Sequence, residues 1–264
     1  MSDMAWSAPA TSRRVLELLP ELAWSRARLA DVGAGRGHFV GLLVEQLRTR
    51  DIEPRDHLFA CDVMPESFSV PQVRCRPIGA DGHLPFDDAS FDAVVSIEVI
   101  EHVEDPFFFW RELARIAKPG ATIVVTTPNV LNVNSRLRTL FTGFPLLFDP
   151  LPLDRHDPRR LGGHIHPIAP YYLAYGALRA GLIEPTFHPD RTKASAVALT
   201  LALWPLLRIG RLRHEARWRR KAPQVASDNR DLLAAQNGWN LLTSRSAVLR
   251  VRKPGQETGA IKIE

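Results

Sequence analysis

Between residues 29 and 129 short apolar runs alternate with stretches in which apolar residues recur at helical spacing. A short run from Leu29 into Asp31 and the runs 57–62, 73–78 and 90–98 are predicted as strands, and 118–129 as a turn and a strand. The first gives way near His38 to an amphipathic helix. Strand after helix after strand predicts an α/β fold with a largely parallel sheet and helices on both faces. Beyond Asn129 the rhythm is lost. Residues 130–163 hold several prolines, scattered aromatics and charge, and the stretch closes on Gly162-Gly-His164-Ile-His166-Pro167. A segment of this length without a period is expected to be an irregular lid or substrate insertion, here 130–167. Regular pattern returns with a helix over Tyr171–Ala180, capped by Gly181, and a strand over Leu182–Phe187. Residues 247–254 read as a last strand and the final ten residues as a polar tail. No internal repeat is present.

The first strand runs into Asp31-Val-Gly33-Ala-Gly35-Arg-Gly37. Glycines at alternating positions let the backbone turn tightly and approach a ligand with no Cβ in the way, and the helix starting at His38 aims its N-terminal amides into that turn. The spacing is neither the Gly-x-Gly-x-x-Gly of dinucleotide folds nor the Gly-Lys-Ser/Thr ending of a P-loop. It resembles motif I of the class I S-adenosylmethionine (SAM)-dependent methyltransferases. The resemblance extends along the chain. The second strand ends on Asp62, where a Rossmann-like fold hydrogen-bonds ribose hydroxyls. The third ends in Gly79-Ala-Asp81-Gly-His-Leu-Pro-Phe86, similar to the family's adenine loop though about one residue shorter, followed by the fourth and fifth strands in the family's order. It implies a seven-stranded Rossmann-like sheet, mostly parallel with an antiparallel last strand. It also implies SAM as cofactor. Asp31, Gly33, Gly35 and Gly37 would hold the methionine end, Asp62 the ribose and Asp81 the adenine, with Ser96 and Glu98 lining the floor.

Methyl transfer from a sulfonium to a hydroxyl needs a base or a metal to ready the acceptor; an amine needs less. Glu98-Val-Ile-Glu101-His102 follows the fourth strand, and positions i, i+3 and i+4 of a helical turn share one face. With a later His this pattern resembles quinone-biosynthesis O-methyltransferases. It also resembles small-RNA 3′-terminal 2′-O-methyltransferases, which use such a cluster as a metal site. Glu98, Glu101, His102 and His166 are therefore candidate ligands for Mg²⁺, Mn²⁺ or Zn²⁺. His102, His164 and His166 are equally candidates for a metal-free general base, and the acids can instead serve only to cap the turn. The chain lacks an aromatic-rich segment directly after His164-Ile-His166 and carries no recognisable RNA-binding module, which argues against a nucleic-acid partner.

With 264 residues, 45% of them hydrophobic, the chain suits one methyltransferase domain with modest insertions. Cys61 and Cys75 fall in or beside strands, as small core residues of a reducing compartment would. Residues 1–7 have no continuous apolar segment, so no secretory signal is expected and the cytoplasm is the default location. The net charge of +5 is concentrated in one place. Residues 194–207 carry no charge, and seven basic residues follow by Lys221 with Glu215 the one acid among them. The apolar part falls short of the roughly 20 residues that span a bilayer. The segment 194–222 is left with three readings: a buried helix with a solvated Arg-rich flank (packed on the sheet or at a dimer contact), a helix lying in a membrane interface, or an RNA-binding face. The sequence points to O-methylation of a small-molecule, lipid-linked or glycan acceptor, with peripheral contact to the inner membrane face if the interfacial reading holds. The alternatives are an RNA 2′-O-methyltransferase and a non-catalytic SAM-binding assembly partner. Oligomeric state is not legible.

Overall fold

The computed structural model describes residues 9–154 and 163–255. Residues 1–8, residues 155–162 of the predicted insertion and all but Gly255 of the polar tail lie outside the described residues. The predicted strands are all present: β1 (Leu29–Val32), β2 (Leu58–Asp62), β3 (Cys75–Pro77), β4 (Phe91–Ile97), β5 (Ala117–Pro128), β6 (Ile183–His188) and β7 (Ser246–Arg252). They form one sheet in the order β3-β2-β1-β4-β5-β7-β6. Neighbours from β3 to β5 pair in parallel, and β7 runs antiparallel to both β5 and β6.

The alternation of side chains along the central strands separates two apolar layers. Val94, Ile123, Val125 and Leu249 face one way, onto Trp110, Leu113 and Ile116 of α3 (Pro106–Ile116) and Leu173 and Ala177 of α5 (Pro170–Arg179). Ala93, Val95, Val124 and Val248 face the other, onto Val15 of α1 (Pro9–Leu18) and Val40, Leu43 and Leu47 of α2 (His38–Arg48). Helix α3 begins where Asp105 accepts from the Phe108 amide at 2.8 Å, with Pro106 in its first turn. Cys61 is buried and Cys75 half-buried, both as free thiols.

Residues 133–142 depart from the expected irregular insertion: they form α4 (Val133–Thr142). Its caps explain the helix. Asn132 accepts from the Asn134 amide at 2.9 Å, and Gly143 ends it in the left-handed conformation at φ 79°. Residues 194–221 are one helix, α6 (Ala194–Lys221), with Pro205 inside it. Three short helices, α7 (Pro223–Asp228), α8 (Arg230–Gln236) and α9 (Trp239–Thr243), lead back to β7. Packing of 194–207 on the sheet is not met, since only Ala196 and Thr200 of α6 are buried within the chain.

Candidate functional site

Strand order reverses between β1 and β4, and in open α/β sheets the ligand crevice lies at the carboxyl ends of the strands at such a point. Two segments meet there: the glycine loop after β1 and the turn after β4. Gly33 has φ 76°, and a Cβ on it would lie 2.4 Å from Val99 Cγ2, so its lack of a side chain is what lets the two segments touch. Gly35 differs. It also has positive φ, at 53°, but among the described residues no atom beyond its chain neighbours lies within 4 Å of where its Cβ would be. Its backbone faces open space, a cradle that a side chain would fill.

The loop is tied to β2 by Gly33 and Ala34 amides donating to Cys61 O at 2.8 and 3.2 Å. Asp62 accepts from the Gly35 and Met64 amides at 2.8 Å each. Asp31 is 2% exposed, and no group among the described residues donates to its carboxylate. Burial, reinforced by the nearby Asp62 charge, pushes its pKa up to about 7. Such a pair of acids at a crevice favours a ligand that brings hydroxyl donors and positive charge, and SAM offers both. Asp81 sits exposed in the turn after β3 and accepts from the His83 amide at 3.1 Å. Ser96 proves to be a strut: wholly buried, it donates to Val32 O at 2.9 Å and stitches β4 to β1, so its hydroxyl does not line the floor.

The turn after β4 is not the α-helical face that the spacing suggests. Glu98 has φ 53°, a left-handed conformation rare for a residue with a side chain, and a 3₁₀ turn over Ile100–His102 follows it. Glu98 Oε1 accepts from Ser246 Oγ at 2.8 Å and from Arg245 at 3.3 Å, which draws it away from the other candidate ligands. Glu101 points inward, fully buried, and neither carboxylate oxygen finds a hydrogen-bond partner among the described residues. The Ile165 and His166 amides donate to its backbone carbonyl at 2.9 and 3.0 Å, clamping the end of the insertion onto the turn. The clamp delivers His164, not His166, to the cluster. Glu101, His102 and His164 each present a ligand atom within 4.8 Å of the others, and the two imidazoles stand edge to face at 4.7 Å. His166 instead lines a cleft of about 360 Å³ with Ile100, Trp110 and Tyr172.

The protonation of this cluster follows from its partners. His102 Nδ1 lies 2.9 Å from Gly163 O, and His164 Nδ1 lies 2.7 Å from Leu147 O. A carbonyl can only accept, so each Nδ1 carries the proton and each neutral ring keeps its lone pair on Nε2. Burial, and for His102 the neighbouring His164, lowers both pKa values and keeps the rings neutral. Burial, helped by the Glu98 charge, raises Glu101 to about 8 against the lowering pull of its own backbone, Thr127 and Arg245. Two neutral imidazoles oriented by backbone carbonyls beside an unpartnered carboxylate can accept a proton or hold a divalent cation. The donor set fits Zn²⁺ or Mn²⁺, and ionisation of Glu101 makes cation affinity rise with pH up to about 8.

A stability measurement checks this electrostatic reading. Because the folded-state pKa of Glu101 is raised, the stability of the protonated carboxyl is fully present below its ordinary 4.5 and lost as pH climbs through about 8. In the presence of chelator, Glu101→Gln is expected to be more stable than the parent at pH 9 by roughly 2–4 kcal/mol, with the difference gone near pH 4. Parallel denaturation curves for the two proteins across that range would show that Glu101 is not a buried, uncompensated acid.

Sequence reasoning missed Arg245, which lies 147 positions from the Glu98 it pairs with. It also missed Asn129 and Asn132. Their amides donate to Leu241 O at 2.7 Å and to Ser244 O at 3.0 and 2.9 Å, fastening the end of β5 to the start of β7. The local signal for Asn132 was its place just before α4; for Arg245 there was none.

Residues 30–125 match the methyltransferase domain family. A ubiquinone biosynthesis O-methyltransferase of Xylella fastidiosa is 34% identical over 114 residues, 40% of this chain and 43% of that protein. Ajmaline N-methyltransferase of Rauvolfia serpentina is 31% identical over 107 residues, 37% of this chain and 34% of that one. The chain thus spans less than half the length of these relatives. Among solved structures, a SAM-dependent methyltransferase from Thermotoga maritima, described as a possible histamine N-methyltransferase, aligns over 92% of this chain and 87% of its own. Its TM-score is 0.53 and its identity 15%, a likeness of fold.

Proposed function

Residues 30–125 being a methyltransferase domain of the class I SAM-dependent kind, we propose that the chain transfers a methyl group from SAM to a hydroxyl oxygen of a small-molecule, lipid-linked or glycan acceptor. The relatives' names divide between oxygen and nitrogen acceptors and support methyl transfer alone. The observation that favours oxygen is the Glu101–His102–His164 cluster beside the crevice. A hydroxyl must lose its proton to become a good nucleophile, and an unprotonated Nε2 on a neutral imidazole is a fitting base for it.

In this reading the open space over Gly35 receives the methionine end of SAM, and Asp62 and Asp81 meet the ribose and adenine. The acceptor hydroxyl approaches along the line of the sulfur–methyl bond. Holding that line is the main catalytic task, and the loop and turn are positioned for it by the Gly33–Val99 contact. His102 Nε2 takes the hydroxyl proton. His164 and Glu101 surround the resulting imidazolium, and Glu101, once ionised, stabilises it. The bound group that the same residues fit, a divalent cation, would lower the pKa of the hydroxyl.

The test is transfer of labelled methyl from SAM to a panel of phenols, sugars and membrane lipid extract, scored for ether products. Chelation followed by dialysis separates the two ways of readying the hydroxyl. Activity lost and then restored by Mn²⁺, Mg²⁺ or Zn²⁺ identifies a metal site; full turnover in chelator leaves the imidazole as base. Label appearing only on amines would refute the oxygen assignment.

A further inference from the structure

Helix α6 has too little protein against it for its composition. It packs on α4 and α9, with Trp204 edge-on to Trp239 at 6.3 Å. Its inner side carries Ala196, Thr200, Leu203, Leu207, Arg211 and Glu215, at spacings of three and four. Its outer side exposes Leu201, Leu206, Ile209 and Leu212, with Leu206 68% accessible. Helix α4 ends in Leu140 and Phe141, 74% and 81% accessible, and Phe144 follows. Exposed apolar side chains in this number mark an interaction surface.

Position in the fold gives the surface a purpose. α4 follows Pro128, which pairs with Ser246; α6 follows β6, whose last residue His188 pairs with Val248, level with Thr126. α9 precedes Ser246. All three helices leave or enter the sheet at its carboxyl edge, where the crevice lies.

Charge names the occupant. Beyond Leu207 the helix carries seven basic residues, and its single acid, Glu215, is taken by Arg211 at 2.6 Å and Arg219 at 3.5 Å. Arg208, Arg213, Arg217, Arg220 and Lys221 have no acidic partner among the described residues. A second copy of this helix would bring like charges, and its one acid, Glu215, is already held by Arg211 and Arg219 of its own helix. Single-stranded RNA would want aromatic platforms, and aliphatic Leu and Ile dominate the outer side. An anionic bilayer satisfies both halves, taking the aliphatic side chains among its acyl chains and the guanidinium groups among its headgroups. By length and composition α6 could cross a membrane, and little of it is buried. Its uncharged part, 194–207, is however only about 21 Å long against a hydrocarbon core of about 30 Å. It is too short to cross.

We propose that α6, together with the tip of α4, seats the protein on an anionic membrane surface, with α6 lying in the interface and the carboxyl edge of the sheet turned toward the lipid. As the docking face of the methyltransferase proposed above it would admit a lipid-linked acceptor directly. The docking itself requires neither cofactor nor turnover, so the two readings can fail separately.

The test is flotation of the full-length chain with vesicles of phosphatidylcholine alone or mixed with phosphatidylglycerol, at low and high salt. The parent is expected to float with the mixed vesicles at low salt and to be released by high salt. Leu206→Ser/Ile209→Ser/Leu212→Ser should lower partitioning by more than roughly tenfold. These side chains are exposed, so its thermal midpoint should stay near that of the parent. Arg213→Gln/Arg217→Gln/Arg220→Gln should lower it by about a hundredfold at low salt. Three results would each overturn the proposal: no flotation of the parent, equal flotation of the parent and the Ser variant, or a parent dimer that the Ser variant abolishes in ultracentrifugation. Tighter binding to an RNA oligonucleotide than to anionic vesicles would equally reassign the surface.

Discussion

Replacing Gly35 with valine abolishes the thermal stabilisation that S-adenosylhomocysteine gives the parent. A ligand at a hundred times its dissociation constant stabilises a folded protein by about 2.7 kcal/mol, a shift easily read in a melting curve. Valine removes it because the position now open above Gly35 fills with a branched side chain just where the ligand must approach the backbone. The substitution also strains the chain, since Gly35 has φ 53°; a left-handed residue with a side chain costs about 1–2 kcal/mol. That is less than the roughly 5–15 kcal/mol that folds a domain, so the variant remains folded and its ligand response can be measured. A ligand-induced shift as large in the variant as in the parent would mean that the cofactor lies elsewhere.

The second large effect is on turnover. His102→Ala should lower kcat by about 10²–10⁴-fold, the range that a positioned acid or base contributes. S-adenosylhomocysteine should stabilise this variant as it does the parent, because the glycine loop is untouched. The rate of the parent should fall as pH drops through the lowered pKa of His102, where Nε2 becomes protonated. His164→Gln is expected to shift that inflection and not to match the alanine loss. If His102→Ala keeps full kcat, the cluster is structural and methyl transfer relies on positioning alone.

The central strands were legible because they are buried on both faces and read as apolar runs, whereas β3 and β6 at the edges are half-exposed. Predicted and observed ends agree to within a residue or two, as for 90–98 against Phe91–Ile97. The parallel sheet followed from the alternation of strands and helices, and its seven-strand form and the cofactor loop from the resemblance carried by the glycine motif. The site beyond the cofactor was less legible, for reasons that can be named. The spacing of Glu98, Glu101 and His102 suits an α-helix, but Arg245 and Ser246 on β7 pull Glu98 aside into a left-handed conformation. No local pattern announces a partner 147 positions away. His164 and His166 are equivalent in a sequence. What selects His164 is the pair of hydrogen bonds that the Ile165 and His166 amides donate to Glu101 O, a long-range backbone contact. Helix α4 was hidden by its prolines and aromatics downstream, although its Asn132 and Gly143 caps were there to be read. For α6 the composition of an apolar helix is the same whether protein or lipid covers it, so only the packing could exclude a buried core helix.

The most direct test of the central claim is a crystal structure of the chain with S-adenosylhomocysteine. The claim places the homocysteine over Gly35, the ribose at Asp62, and the sulfur facing a cavity that Glu101, His102 and His164 border. Ligand density at another edge of the sheet, or a sulfur turned away from those three residues with the crevice closed, would contradict it.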